Sequence, residues 1–382
     1  MLVFAFSNLP LNLGFCLLGF SMMPDSLGPM VALEGASFYV FRKVFLSFLL
    51  PFLLTGFSLS LILGLYDFSI ASVFAMNTFG LELLSRYSAG ASLGEMFVLA
   101  LPAILLTFGI LGLIYPLFKS SFTTVNKGTS NPFSQTKAMK ILAFFGGLIL
   151  FIYLVLPILS LLWKALEARQ VFSIIGNSLG ELGTSFLLSI LAASLIVLVG
   201  LLVAVQMKRP WQKFFGLSSL FLFIMPAALL ALVAIRLMNR PLLGLVYDSI
   251  WMPILILFLR YQFIGILGLR LATSTLDQEL FSLSHIWGLS SFNRLTLFAG
   301  LLKKELVAIF VLAFVFCTGD TTVPILVAPA GVQTISVKIY NYLHYGASDV
   351  IAVLCLVILA FCLIAIIFLQ KLLGGGTSYE RT

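Results

Sequence analysis

The side chains able to do chemistry are few, and their spacing excludes most reactions. His285 and His344 are the only imidazoles and stand far apart. The four thiols, Cys16, Cys317, Cys355 and Cys362, lie in apolar runs without the paired spacing of a metal site, and read as helix-packing residues. Neither a metal centre nor a His-based catalytic site is expected. No Gly-x-x-x-x-Gly-Lys-Ser/Thr loop is present, so the chain is not expected to bind ATP by that route. No Ser/His/Asp set or carboxylate pair is evident. The chain is therefore read as neither an enzyme nor a cofactor protein.

Two charges stand out as pathway candidates. Arg260 interrupts an apolar run beside Tyr261 and Gln262. An arginine within a membrane span is a functional candidate, because a charge is costly there. It would either line a solute path or pair structurally. Asp320 follows the apolar run of residues 304–319; like Asp67, Asp248 and Asp349, it maps to a predicted span end or beyond. Solvation at the membrane interface is the reading for Asp320 and Asp67.

A third group lies in the segment 274–289. Thr275 and Gln278 fit a T-x-x-Q capping box, and Asp277 and Glu279 place negative charge in a first helical turn. Leu276, Leu280, Leu283 and Trp287 recur at helical spacing and share a face, with Gln278, Ser282 and His285 off it. Such a helix can lie on lipid or insert into a partner's groove. The pattern leaves both open.

The elements that must position these residues follow from composition. Only 9% of the 382 residues are charged and 61% are hydrophobic. A water-soluble surface cannot be built from that, whereas a lipid-embedded helical bundle can. The fold class is all-α. Nine stretches approach the roughly 20 apolar residues that cross a bilayer. They are 1–20, 44–66, 96–118, 141–164, 184–206, 214–238, 247–270, 304–326 and 347–370.

Charge orients them. With 21–43 placed in the cytoplasm, only Arg86, Lys164, Arg169, Arg236, Arg240, Arg260 and Lys338 fall outside or in the membrane. The remaining 15 of 22 basic residues lie inside, as positive-inside bias requires. The loops 21–43, 119–140, 207–213 and 271–303 and the C-terminus are thus expected in the cytoplasm. The net charge of +8 is mainly this topology signal, and no nucleic-acid partner is expected.

The chain also repeats itself. Phe41-Arg42-Lys43-Val44-Phe45-Leu46 matches Phe292-Asn293-Arg294-Leu295-Thr296-Leu297; Asp67 matches Asp320; Gly90-Ala91-Ser92 matches Gly346-Ala347-Ser348. Order and spacing are nearly constant, as in a parallel duplication. The expected organisation is a shortened first half at 1–118, a cytoplasmic linker at 119–140 and a second half at 141–382.

At 279–298 the chain resembles the permeases of binding-protein-dependent ABC importers. Glu279-Leu280-Phe281-Ser282-Leu283-Ser284-His285 occupies that family's E-A-A-x-x-x-G positions, and 292–298 its F-x-R-V-T-L-P ending. Glu279, Phe292, Arg294, Thr296 and Leu297 match; Leu280, Phe281, His285 and Phe298 depart. Gly319-Asp320 is similar to the family's following Gly-Asp, and Gly35-Ala36-Ser37 to its G-A-S. The nearest likeness is to the fused two-half permeases for ferric iron and thiamine. It implies a type 1 permease fold in the cytoplasmic membrane, two ATP-hydrolysing partner subunits and an external solute-binding protein. It implies docking of 275–288 and 25–37 on the ATPases, with Glu279 as a polar contact. Ferric iron is the first expectation for the solute, with thiamine, a polyamine or an oxyanion behind it. The departure at His285 implies strain where the family turns sharply on Gly. An ion-coupled secondary transporter and an inactive, truncated permease are the alternatives.

Overall fold

The computed structural model describes residues 8–21, 43, 46–66, 72, 74, 76–122, 137–168, 170–240, 244–274, 276 and 278–374. Among them all regular structure is helical. The chain divides into two units, Met1–Ser160 and Leu161–Thr382.

The first unit contains α1 (Leu9–Ser21), α2 (Ser47–Tyr66), α3 (Phe79–Ser88), α4 (Leu93–Phe122) and most of α5 (Lys137–Glu167). α2 packs on α1, α3 and α4, and Phe52, Ile62, Met96 and Ala100 are fully buried. Asn12, a polar residue in the predicted span at 1–20, holds α1 to α2. Its Nδ2 donates to Ser60 Oγ (2.8 Å) and to the Asn8 carbonyl (3.0 Å), against the open face of Gly56. Small residues and amide bonds at a helix contact are how apolar helices associate without a hydrophobic driving force.

The second unit contains α6 (Val171–Gly176), α7 (Leu179–Gln206), α8 (Arg209–Ile224), α9 (Ala227–Met238), α10 (Gly244–Tyr247) and α11 (Trp251–Ser274). It continues with α12 (Gln278–Ile286), α13 (Ser291–Leu301), α14 (Lys303–Gly319), α15 (Thr322–Val327), α16 (Ile335–Tyr345) and α17 (Ser348–Gly374). α7 is the central rod, packed on α11 and α14.

Among the described residues five helices are long and apolar enough to cross a membrane: Phe48–Leu65, Phe144–Glu167, Leu179–Gln206, Trp251–Ser274 and Ser348–Lys371. The first three fifths of α4, Gly94–Ile110, form a shorter apolar stretch. The chain is a multi-pass membrane protein by this measure. All four tryptophans, Trp163, Trp211, Trp251 and Trp287, stand at or near helix ends and are 49–71% exposed. Amphipathic indole rings favour the membrane–water interface.

Two predicted spans are not straight helices. The stretch 214–238 is split by a 108° bend between α8 and α9, giving a sixth span only if the bent pair is one. The cause is Pro226: it has no N–H to donate, and it drives Met225 to extended backbone (φ −62°, ψ 140°). The stretch 304–326 breaks after 17 helical residues. Asp320 is extended (φ −73°, ψ 120°), and its Oδ1 accepts from the Val323 N–H (2.9 Å), starting α15 instead. Of the predicted span at 1–20, residues 1–7 lie outside the described residues, and α1 (Leu9–Ser21) covers most of the rest.

The two G-A-S tripeptides adopt one geometry. Gly90 (φ 81°) ends α3 and Gly346 (φ 73°) ends α16, both left-handed. Ala91 N–H donates to the Arg86 carbonyl (3.1 Å) and Ala347 N–H to the Tyr342 carbonyl (3.4 Å). The same Schellman turn therefore precedes both α4 and α17.

Candidate functional site

Arg260 and Asp320, singled out separately in the sequence, meet. Arg260 Nη1 lies 3.5 Å from Asp320 Oδ2, and the two side chains are 17% and 2% exposed. The neighbouring Tyr261 hydroxyl donates to the same Oδ2 (2.7 Å), and the Arg260 guanidinium lies 5.7 Å from the Tyr261 ring centre. Both carboxylate oxygens are engaged, because Oδ1 caps α15. This corrects the expectation for Asp320: it is not solvated at a helix end but buried where α14 stops. A buried carboxylate is tolerated only when paired and hydrogen-bonded, and all three partners supply that here.

Around this carboxylate runs a polar seam. Ser185 and Ser189 of α7, Thr318 of α14 and Thr334 face it, with Leu257, Cys317 and Pro324 completing the walls. No room for a water molecule remains among them. The segment 333–338 is held to α7 by polar bonds. Thr184 Oγ1 donates to the Gln333 carbonyl (2.5 Å), Ile335 N–H to Ser185 Oγ (2.8 Å), and Lys338 Nζ to Glu181 Oε1 (2.7 Å) and to the Asn177 carbonyl (2.8 Å). Ser336 Oγ donates to the Thr318 carbonyl (2.8 Å). Sequence reading missed these hydroxyls. Their only signal was small polar residues at four-residue spacing within apolar α7.

Loss of the Tyr261 hydroxyl tests the seam. A Tyr261→Phe variant is expected to lose roughly 1.5–3 kcal/mol, the worth of a hydrogen bond to a charged group. Unfolding in detergent, followed by tryptophan fluorescence, measures it. A variant as stable as the parent would contradict the assignment.

The second candidate group forms α12 and the turn after it. Leu280 (36%), Leu283 (39%) and Trp287 (71%) point outward, with Ile286 beside them and Glu279 exposed. Leu276 is half-buried before the helix. The face expected to be apolar is thus unpartnered, and the opposite face holds the helix in place: Phe281 stacks on fully buried Phe298 of α13 (4.3 Å), and Ser284 is buried. His285 lies within the helix and takes no turn. Gly288 (φ 61°) does so three residues later, which removes the expected strain at His285. Thr275 and Asp277 lie outside the described residues, as do Gly35, Ala36, Ser37 and the whole of 25–37.

Among the described residues no three His, Cys, Asp or Glu side chains come together that could hold a metal ion. Compared with protein-family models and with curated proteins, the chain matches none.

Proposed function

We propose that this chain is the transmembrane permease subunit of an ATP-driven importer in a cytoplasmic membrane. It would move a small solute inward by alternating access. The observation that carries this reading is α12. A short helix, clamped from behind by the Phe281–Phe298 stack, offers Leu280, Leu283 and Trp287 outward with Glu279 in its first turn. An anchored helix with a free apolar face suits a partner's groove, and a rigid lever can pass discrete movements to what it packs on.

In this reading two ATP-hydrolysing subunits dock on the cytoplasmic loops, α12 among them, and an external binding protein delivers the solute. The paired Schellman turns before α4 and α17 support two parallel halves. The polar seam beside Asp320 is the closed solute path.

The test is solute-stimulated ATP hydrolysis by the chain purified with its ATPase. A Glu279→Ala, Leu283→Asp double variant is expected to assemble poorly or lose stimulation. Normal assembly with normal stimulation would sink the reading.

The buried Asp320 favours one second reading, an ion-coupled transporter, because such mechanisms use carboxylates within the membrane. Uptake driven by a proton gradient without ATP would select it.

A further inference from the structure

The last residue of α7 makes two bonds that the docking helix alone does not explain. Gln206 Oε1 accepts from Arg294 Nη2 (2.7 Å), and Gln206 Nε2 donates to the Ser291 carbonyl (2.6 Å). Arg294 offers only donors and a carbonyl only accepts, so the amide has one orientation that satisfies both. Ser291 and Arg294 occupy the first turn of α13, so one side chain grips that turn at two points. The end of α7 is itself held. Gln212 Nε2 donates to the carbonyls of Ala204 (2.9 Å) and Met207 (3.0 Å), two of the groups a helix C-terminus leaves open.

From this grip two rigid paths run. Toward the docking face, α13 carries Phe298, on which Phe281 of α12 is stacked. Ser290 fixes the start of α13, its Oγ accepting from the Asn293 N–H (3.3 Å). In the other direction α7 runs 28 residues, about 42 Å at 1.5 Å per residue. Six residues before Gln206, Gly200 of α7 meets the Gly265 backbone of α11, a close backbone contact that ties the two helices together. Near its far end Thr184, Ser185 and Ser189 reach the polar seam and segment 333–335.

We propose that Gln206 is the joint that transmits movement of the α12–α13 pair into α7, and through α7 to the polar seam. It is a positioning residue and touches neither ATP nor solute. The inference rests on the permease reading above. A neutral amide suits the role: it holds Arg294 without a full ion pair, and both bonds can break and re-form between two discrete arrangements.

The experiment uses the chain with its co-purified ATPase in lipid nanodiscs. Cys16, Cys317, Cys355 and Cys362 are replaced by alanine, and Ser189→Cys reports the seam through its rate of labelling by a water-soluble maleimide. With Gln206 intact, trapping with ATP and vanadate is expected to raise labelling by about tenfold, within the usual range of an allosteric coupling.

Gln206→Leu is expected to abolish the rise while ATP hydrolysis and assembly persist. Arg294→Met removes the same bond from the other side and is expected to do likewise, which covers the case of Gln206→Leu misfolding. Gln206→Glu turns the Arg294 contact into a full ion pair and cannot donate to the Ser291 carbonyl, so it too is expected to suppress the rise. A full rise in Gln206→Leu or in Gln206→Glu would overturn the joint and leave the permease reading standing. No rise even with Gln206 intact would remove the permease reading, and the joint with it.

Discussion

An Asp320→Ala variant is expected to lose about 3–5 kcal/mol of stability, the cost of removing one partner from a buried ion pair. The structure gives three reasons. The carboxylate is 2% exposed, so water cannot replace it as a partner of Arg260. Tyr261 loses the acceptor of its 2.7 Å bond. α15 loses the cap at Val323, and with it the feature that stops α14 at Gly319. Asp320→Asn retains the shape and a carbonyl acceptor, so its loss is expected to be smaller. Adding Arg260→Leu to Asp320→Ala is expected to recover part of the loss, because the stranded cation is then gone. Chemical unfolding of the parent, Asp320→Ala, Asp320→Asn, Arg260→Leu and the double variant in one detergent, followed by tryptophan fluorescence, measures each step. Additive losses in the double variant would show that the pair is not coupled.

A Gly200→Ala substitution is expected to cost more than the roughly 1–3 kcal/mol usual for an overpacked core. A Cβ at Gly200 would lie 2.6 Å from the carbonyl carbon and oxygen of Gly265. The obstruction is backbone on another helix, which cannot rotate away as a side chain can. Gly265→Ala is blocked in the same way by the Ile196 carbonyl. Either change forces α7 and α11 apart along the unit's most extensive helix contact and is expected to cut the yield of monodisperse protein sharply. Gly183 lies on the same α7 with open space around it. There alanine is expected to add stability, up to about 1 kcal/mol from helix propensity. Melting temperatures of the three variants decide the matter. Similar values for Gly200→Ala and Gly183→Ala would refute the close crossing.

The amino-acid sequence by itself determined the solvent and the local periodicity. A chain 61% hydrophobic and 9% charged must place its helices in lipid, and 3.6-residue spacing marked Leu280, Leu283 and Trp287 as one face. It marked Arg260 as anomalous, and it marked the paired Gly-Ala-Ser turns, because a left-handed glycine is a local requirement. It did not determine which apolar run stays straight. Hydropathy averages over a window, so Pro226 and Asp320 barely alter the mean, yet one backbone kink and one capping carboxylate break their helices. Nor did it determine partners. Arg260 with Asp320, Gln206 with Arg294 and Gly200 with Gly265 are each far apart in the chain. Every side of an apolar helix looks alike to hydropathy. Which side carries a contact is decided only when another helix presents a matching gap, charge or carbonyl. The seam and the Gln206–Arg294 contact are therefore products of tertiary packing, while the membrane environment and the outward apolar face of α12 were already written in the order of the residues.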